Sequence, residues 1–192
     1  PAMDSGVSLK VEPLAEGLEH PWAVALLPDG SALITERPGR LKLFKDGALT
    51  EVTGIPEVSA EGQGGLLDVA ISPDFKRSRT VYLSYAEPRE GGNGTAVARM
   101  QLADDGASVD NVMVLFEQQP TYDGDKHFGS RIVANTDGTL FVTVGERSDV
   151  PIRDTAQDMG NHLGKLIRIA RARGLPVENP FMETKGVLPE IY

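Results

Sequence analysis

The sequence predicts an all-β fold of the β-propeller type, and three observations carry that prediction. A pattern of polar loop residue, apolar run, tight turn and second apolar run occurs three times, at 20–37, 63–85 and 127–147. In each copy a polar residue (His20, Gln63 or His127) stands nine to eleven positions before the turn aspartate (Asp29, Asp74 or Asp137). The 21 glycines and 13 prolines in 192 residues punctuate the chain into short segments, as a protein of many short strands requires. Within the first copy, four strand-like runs fit into about 35 residues, the size of one propeller blade.

The first unit, 18–57, reads as strands at 22–27, 32–37, 40–44 and 49–53. Pro28-Asp29-Gly30-Ser31 and Lys45-Asp46-Gly47 are its turns, and Arg40-Leu41-Lys42-Leu43-Phe44 alternates as a half-buried strand does. The second unit, 58–119, opens on Gly62-Gln63-Gly64-Gly65 and carries strands at 66–71, 80–86, 95–102 and 111–117. Asn93-Gly94-Thr95 matches a glycosylation sequon, but Asn-Gly is also a plain loop signal, and the loop reading is preferred. The third unit, 120–192, has strands at 131–135, 139–146 and 163–169. It also has an insertion at 147–162 with a helical turn over 154–159 and a polar loop at 174–186. Residues 188–192 read as the start of a fourth strand.

Three four-stranded blades are fewer than the four to eight with which propellers close, and they would leave open sheet faces. The expectation is that residues 1–192 form about half of one six-bladed propeller, with Pro1 to Ser5 a cloning remnant. The net charge of −9 disfavours nucleic acid as a partner. The absence of cysteine excludes disulfides, thiolate catalysis and cysteine-based metal centres. No apolar run reaches the length of a membrane helix.

Blade geometry locates the chemistry. The loop before an innermost strand and the end of the second strand share one rim of the channel. His20, Gln63 and His127 occupy such loops, and Glu36 and Glu146 end second strands. His127 and Glu146 belong to one blade, so they can form a general base with an orienting carboxylate; the bland alternative is a loop histidine with an ordinary hydrogen bond. Gln63, framed by glycines, can present its amide or simply be solvated. His20 is expected to pack on the Trp22 indole. His162 is expected to be a surface residue, and Asp154, Asp158 and Glu178 scattered surface acids.

These stretches together resemble one family. HPWAVALLPDGSALITERPGRL (20–41), GQGGLLDVAISPDF (62–75), HFGSRIVANTDGTLFVTVGER (127–147), AQDMGNHLGKLIRI (156–169) and ENPF (178–181) are similar to soluble pyrroloquinoline quinone (PQQ)-dependent aldose sugar dehydrogenases, related to soluble glucose dehydrogenase. The resemblance implies a six-bladed propeller with His127 as the base that takes the proton of the sugar C1 hydroxyl. It implies Glu146 as the acid that orients the base, and Gln63 and His127 at the cofactor. An aldose would be oxidised to an aldonolactone, with hydride passing to PQQ. Calcium is the second implied cofactor, with its ligands expected beyond residue 192, and the implied location is periplasmic or extracellular. The family continues with an Arg- and Asn-bearing loop and further PQQ-binding residues, so the 192 residues alone are expected to be inactive. The electron acceptor and the remaining half of the propeller are the implied partners, beside the sugar. A non-catalytic binding propeller on the same scaffold stays open as an alternative, as does a calcium-dependent lactonase-type propeller, which Gln63 and His127 fit less well.

Overall fold

The structure, a computed structural model, describes residues 9–192; the reading of Pro1 to Ser5 lies outside the described residues. Every named strand pairs antiparallel with its sequence neighbour inside one of three sheets. The first contains β1 (Pro21–Leu26), β2 (Ala32–Glu36), β3 (Arg40–Lys45) and β4 (Ala48–Val52). The second contains β5 (Leu66–Ile71), β6 (Thr80–Arg89), β7 (Gly92–Leu102) and β8 (Val109–Glu117), with one helical turn, α1 (Phe75–Ser78), between β5 and β6. The third contains β9 (Gly129–Ala134), β10 (Thr139–Val144) and β11 (Leu166–Ala170).

The third sheet differs from the four-stranded unit the sequence predicts. Only Ile191 of the expected fourth strand pairs, in an isolated antiparallel bridge to Ile167. The insertion holds a 3-10 turn, Ile152–Gln157, close to the helical turn expected there.

The innermost strands bind the sheets together, β1 lying against β5 and β5 against β9. The pleat of the middle sheet serves two cores. Val81, Leu83 and Tyr85 of β6 join Leu33, Leu41 and Leu43 of the first sheet, while Tyr82 of β6 and Val97 of β7 join Ile132, Leu140 and Ile167 of the third. Successive residues of a strand point to opposite faces, so a sheet buried on both sides needs near-continuous apolar runs such as 81–86. The outer faces are left apolar and open: Val24 and Leu26 on the first sheet and Val133 on the third are exposed.

Asn93 overturns the loop reading. It lies inside β7, is buried, and exchanges both backbone hydrogen bonds with Tyr122, each 3.0 Å. The turn falls two residues earlier, at Glu90-Gly91. His162 is likewise not on the surface. Its ring meets the edge of Phe116 with centroids 4.9 Å apart, its Nδ1 accepts from Gln119 N at 2.9 Å, and its Nε2 faces Glu190 at 3.4 Å. It lines a cavity of about 290 Å³ between the second and third sheets.

Candidate active site

The site is built where the chain enters β9 and leaves β10. Gly145 N donates to Phe128 O at 3.0 Å, and Arg147 N donates to His127 O at 3.3 Å. A Cβ on Gly145 would stand 1.9 Å from the His127 carbonyl oxygen, so only glycine lets the two segments come this close. That approach puts Glu146 beside His127, with Oε1 2.5 Å from Nδ1. The hydrogen bond from His127 holds the Glu146 carboxyl below its ordinary range, outweighing the opposing effect of burial. An ionised Glu146 accepts the Nδ1 proton, which leaves the lone pair on Nε2. An imidazole in that state is a general base.

Gln63 reaches the same place from the second sheet's entry loop. Its backbone N–H donates to Asp125 O at 2.7 Å, and its Oε1 accepts from His127 N at 3.0 Å. Both protons of its side-chain amide remain to be offered to a ligand. Trp22, Arg37, Gln63, Leu67, His127, Phe128 and Gly129 line a cleft of about 310 Å³. The three predicted residues His127, Glu146 and Gln63 are thus brought together.

The other candidates are not. His20 is exposed. Where the sequence reading put His20 on the Trp22 indole, the ring carries the Arg131 guanidinium, 4.5 Å from its centroid. Glu36 is buried and committed to Arg40 Nε at 2.7 Å. Asp154, Asp158 and Glu178 are exposed, and among the described residues no three His, Asp or Glu side chains gather as a metal site.

Sequence reasoning missed Arg147. It is fully buried and follows Glu146 directly. Its Nε donates to Lys126 O at 2.9 Å, and one terminal nitrogen donates to Asn93 Oδ1 at 2.7 Å and to Gly124 O at 2.5 Å. Its charge lies over the Phe128 ring, 4.0 Å from the centroid. Burial lowers its pKa to about 10. The available signal was the Glu-Arg pair repeated at 36–37 and 146–147. Trp22 and Arg37 were also missed as cleft walls, because the repeat reading assigned roles only to the polar loop residues and strand-end acids.

Three antiparallel sheets that meet along their innermost strands, with His127 and Glu146 side by side at one rim, are an arrangement of the propeller type, and comparison with known proteins agrees. Residues 18–192 match the family model described as Glucose / Sorbosone dehydrogenase, and the chain belongs to that family. Aldose sugar dehydrogenase YliI of Escherichia coli (strain K12) is 41% identical over 189 residues, which cover 96% of this chain and 50% of that protein. A crystal structure of glucose dehydrogenase superposes with a TM-score of 0.90 at 46% identity, over 96% of this chain and 54% of that one. The PQQ-bound aldose sugar dehydrogenase of Streptomyces coelicolor superposes with a TM-score of 0.78 at 29% identity, over 95% of this chain and 52% of that one. The chain therefore spans about half the length of the relatives it matches.

Proposed function

We propose that the complete protein oxidises aldose sugars at C1 to aldonolactones with PQQ as cofactor, and that His127, Glu146 and Gln63 are its site residues within this chain. The observation that carries the reading is the contact of Glu146 with His127 Nδ1, which leaves Nε2 free at a cleft that Gln63 shares. His127 Nε2 takes the proton of the C1 hydroxyl as the C1 hydride leaves. Glu146 stabilises the imidazolium and keeps the ring oriented. When bound, PQQ supplies the two-electron acceptor that receives the hydride.

The cleft suits a flat, polar quinone. Phe128 and Trp22 give it apolar walls, the Gln63 amide has two unused donors for a carbonyl, and Arg37 places a cation at the edge. We assign Gln63 and His127 to the cofactor on that ground. Calcium is proposed as a second requirement of the complete protein.

Residues 18–57, 58–119 and 120–192 are proposed as three blades of a six-bladed propeller, which the open apolar outer faces of the first and third sheets support. On this reading the 192 residues alone bind PQQ weakly or not at all and are inactive, and the protein works in the periplasm or outside the cell. No helix among the described residues is long and apolar enough to cross a membrane.

The test is dye reduction by the complete gene product with an aldose, with and without PQQ and calcium. Turnover that needs both additions supports the reading. A complete protein that neither turns over nor retains PQQ defeats it and favours a binding propeller.

A further inference from the structure

We propose that Arg147 is a positioning residue for the base: its buried guanidinium is the core around which the loop bearing His127 is built. The inference rests on the reading of His127 as the base.

The loop that carries His127 holds several residues in an uncommon backbone conformation. The φ of His127 is 48°, in the left-handed region that residues other than glycine rarely adopt. Ser130, Arg147 and Ser148 are also left-handed, with φ of 85°, 68° and 69°. Such residues persist only where their surroundings over-determine them. A histidine loop strained this way, and exposed to solvent at its tip, does not hold its side chain in place unaided.

Arg147 provides the constraint on both sides of the histidine. Before it, Nε binds Lys126 O at 2.9 Å and a terminal nitrogen binds Gly124 O at 2.5 Å. After it, the Phe128 ring lies under the guanidinium, 4.0 Å away. At the histidine itself, the Arg147 backbone N–H donates to His127 O at 3.3 Å. The assembly is anchored to the second sheet through Asn93, whose Oδ1 accepts at 2.7 Å and whose Nδ2 donates to Gly124 O at 3.0 Å. The side-chain donors of Arg147 all go to neutral oxygens, so the loop carbonyls are turned inward to solvate one charge. A planar fork meets several acceptors and a ring face at once, which an ammonium cannot do. The repeat supplies a contrast. Arg37 makes the same backbone bond to His20 O at 3.1 Å, but its guanidinium goes to Gly62 O, in the loop that carries Gln63.

The experiment compares Arg147→Lys, Arg147→Met and Asn93→Ala in the complete gene product, with His127→Ala as reference. It reads kcat and KM per folded molecule, and hydrogen–deuterium exchange of residues 123–128. The expected result for both Arg147 variants is a fall of about 100-fold in kcat and in kcat/KM together, the scale of a misplaced catalytic group. Exchange should rise in 123–128 and stay unchanged in β1 to β4. Asn93→Ala, which keeps the arginine and removes one anchor, should fall in the same sense by less. A lower yield of folded protein with kcat per folded molecule and loop exchange unchanged would overturn the proposal, as would full activity in Arg147→Met. Undiminished turnover in His127→Ala would instead sink the reading of His127 as base, and the exchange measurement would then decide whether the clamp exists apart from that role.

Discussion

His20 and His127 share a left-handed φ of 48°, and the carbonyl of each accepts a hydrogen bond from an arginine that directly follows a glutamate. Arg37 N meets His20 O at 3.1 Å and Arg147 N meets His127 O at 3.3 Å. The two sites are one backbone motif used twice, with different side-chain fates. Glu146 turns to its histidine, whereas Glu36 turns to Arg40. The same bond in the second sheet runs from Ala86 N to Gly65 O, 2.9 Å, so the structural counterpart of the histidines there is Gly65. That explains why Gln63 sits further from its turn aspartate than they do from theirs.

From this follows a paired test of the histidines. His127→Ala in the complete gene product should lower kcat by about 10²- to 10⁴-fold, the usual contribution of a general base. His20→Ala should leave kcat near the parent value, because its ring is exposed and no carboxylate stands behind it. Equal losses in both, in a dye-reduction assay with aldose, PQQ and calcium, would refute the assignment.

Glu146→Gln tests the orienting carboxylate. A neutral amide can face Nδ1 with either its oxygen or its nitrogen, so the tautomer with a free Nε2 lone pair is no longer enforced. A fall of about 10²-fold in kcat is expected. The sign of the stability effect follows from the depressed carboxyl of Glu146. The contact contributes stability fully above the unfolded carboxyl value, about 4.3. That contribution disappears as pH falls through the lower, folded value. In urea titrations at a series of pH values, the variant should lose least relative to the parent at the acid end. A loss independent of pH would show that charge on Glu146 contributes nothing to folding.

Glu36 should behave differently. Burial by itself raises its carboxyl, but Arg40, the Glu19 N–H and Lys42 together outweigh that and hold it low. Glu36→Gln should cost about 1–3 kcal/mol by urea unfolding, as expected where a buried ion pair loses its charge. Sugar oxidation per folded molecule should persist. If turnover falls as far as in Glu146→Gln, the divergence of the two glutamates is wrong.

Much of this was legible in the sequence, for identifiable reasons. Alternation and turn residues located the strands to within a few positions because each is short and bounded by Gly, Pro or Asp. The pairing of His127 with Glu146 was legible because blade geometry puts a loop and a strand end at one rim. What escaped depends on partners far along the chain. Asn93 reads as a loop residue until Tyr122 pairs with it, and His162 reads as exposed until Phe116 and Gln119 close over it. Arg147 looks like an ordinary strand-end cation, since nothing local reveals that Asn93, Gly124 and Lys126 converge on its guanidinium.

Gly145 gives the most direct test of how the site is assembled. A Cβ there would meet His127 O at 1.9 Å and its carbonyl carbon at 2.5 Å, both backbone atoms, so no side chain can swing aside. Gly145→Ala must therefore push the His127 segment away from Glu146. Overpacking of this kind costs about 1–3 kcal/mol, and displacement of the base should lower kcat by about 100-fold. Gly138→Ala is the control. Its φ is 94°, so alanine is strained there too, but nothing lies within 4 Å of the added carbon. It should lose about 1 kcal/mol or somewhat more in stability and keep the parent kcat. Thermal unfolding and steady-state kinetics on the two variants separate the effects. Parent-like turnover in Gly145→Ala would mean that the close approach of the two segments is not what holds Glu146 against His127.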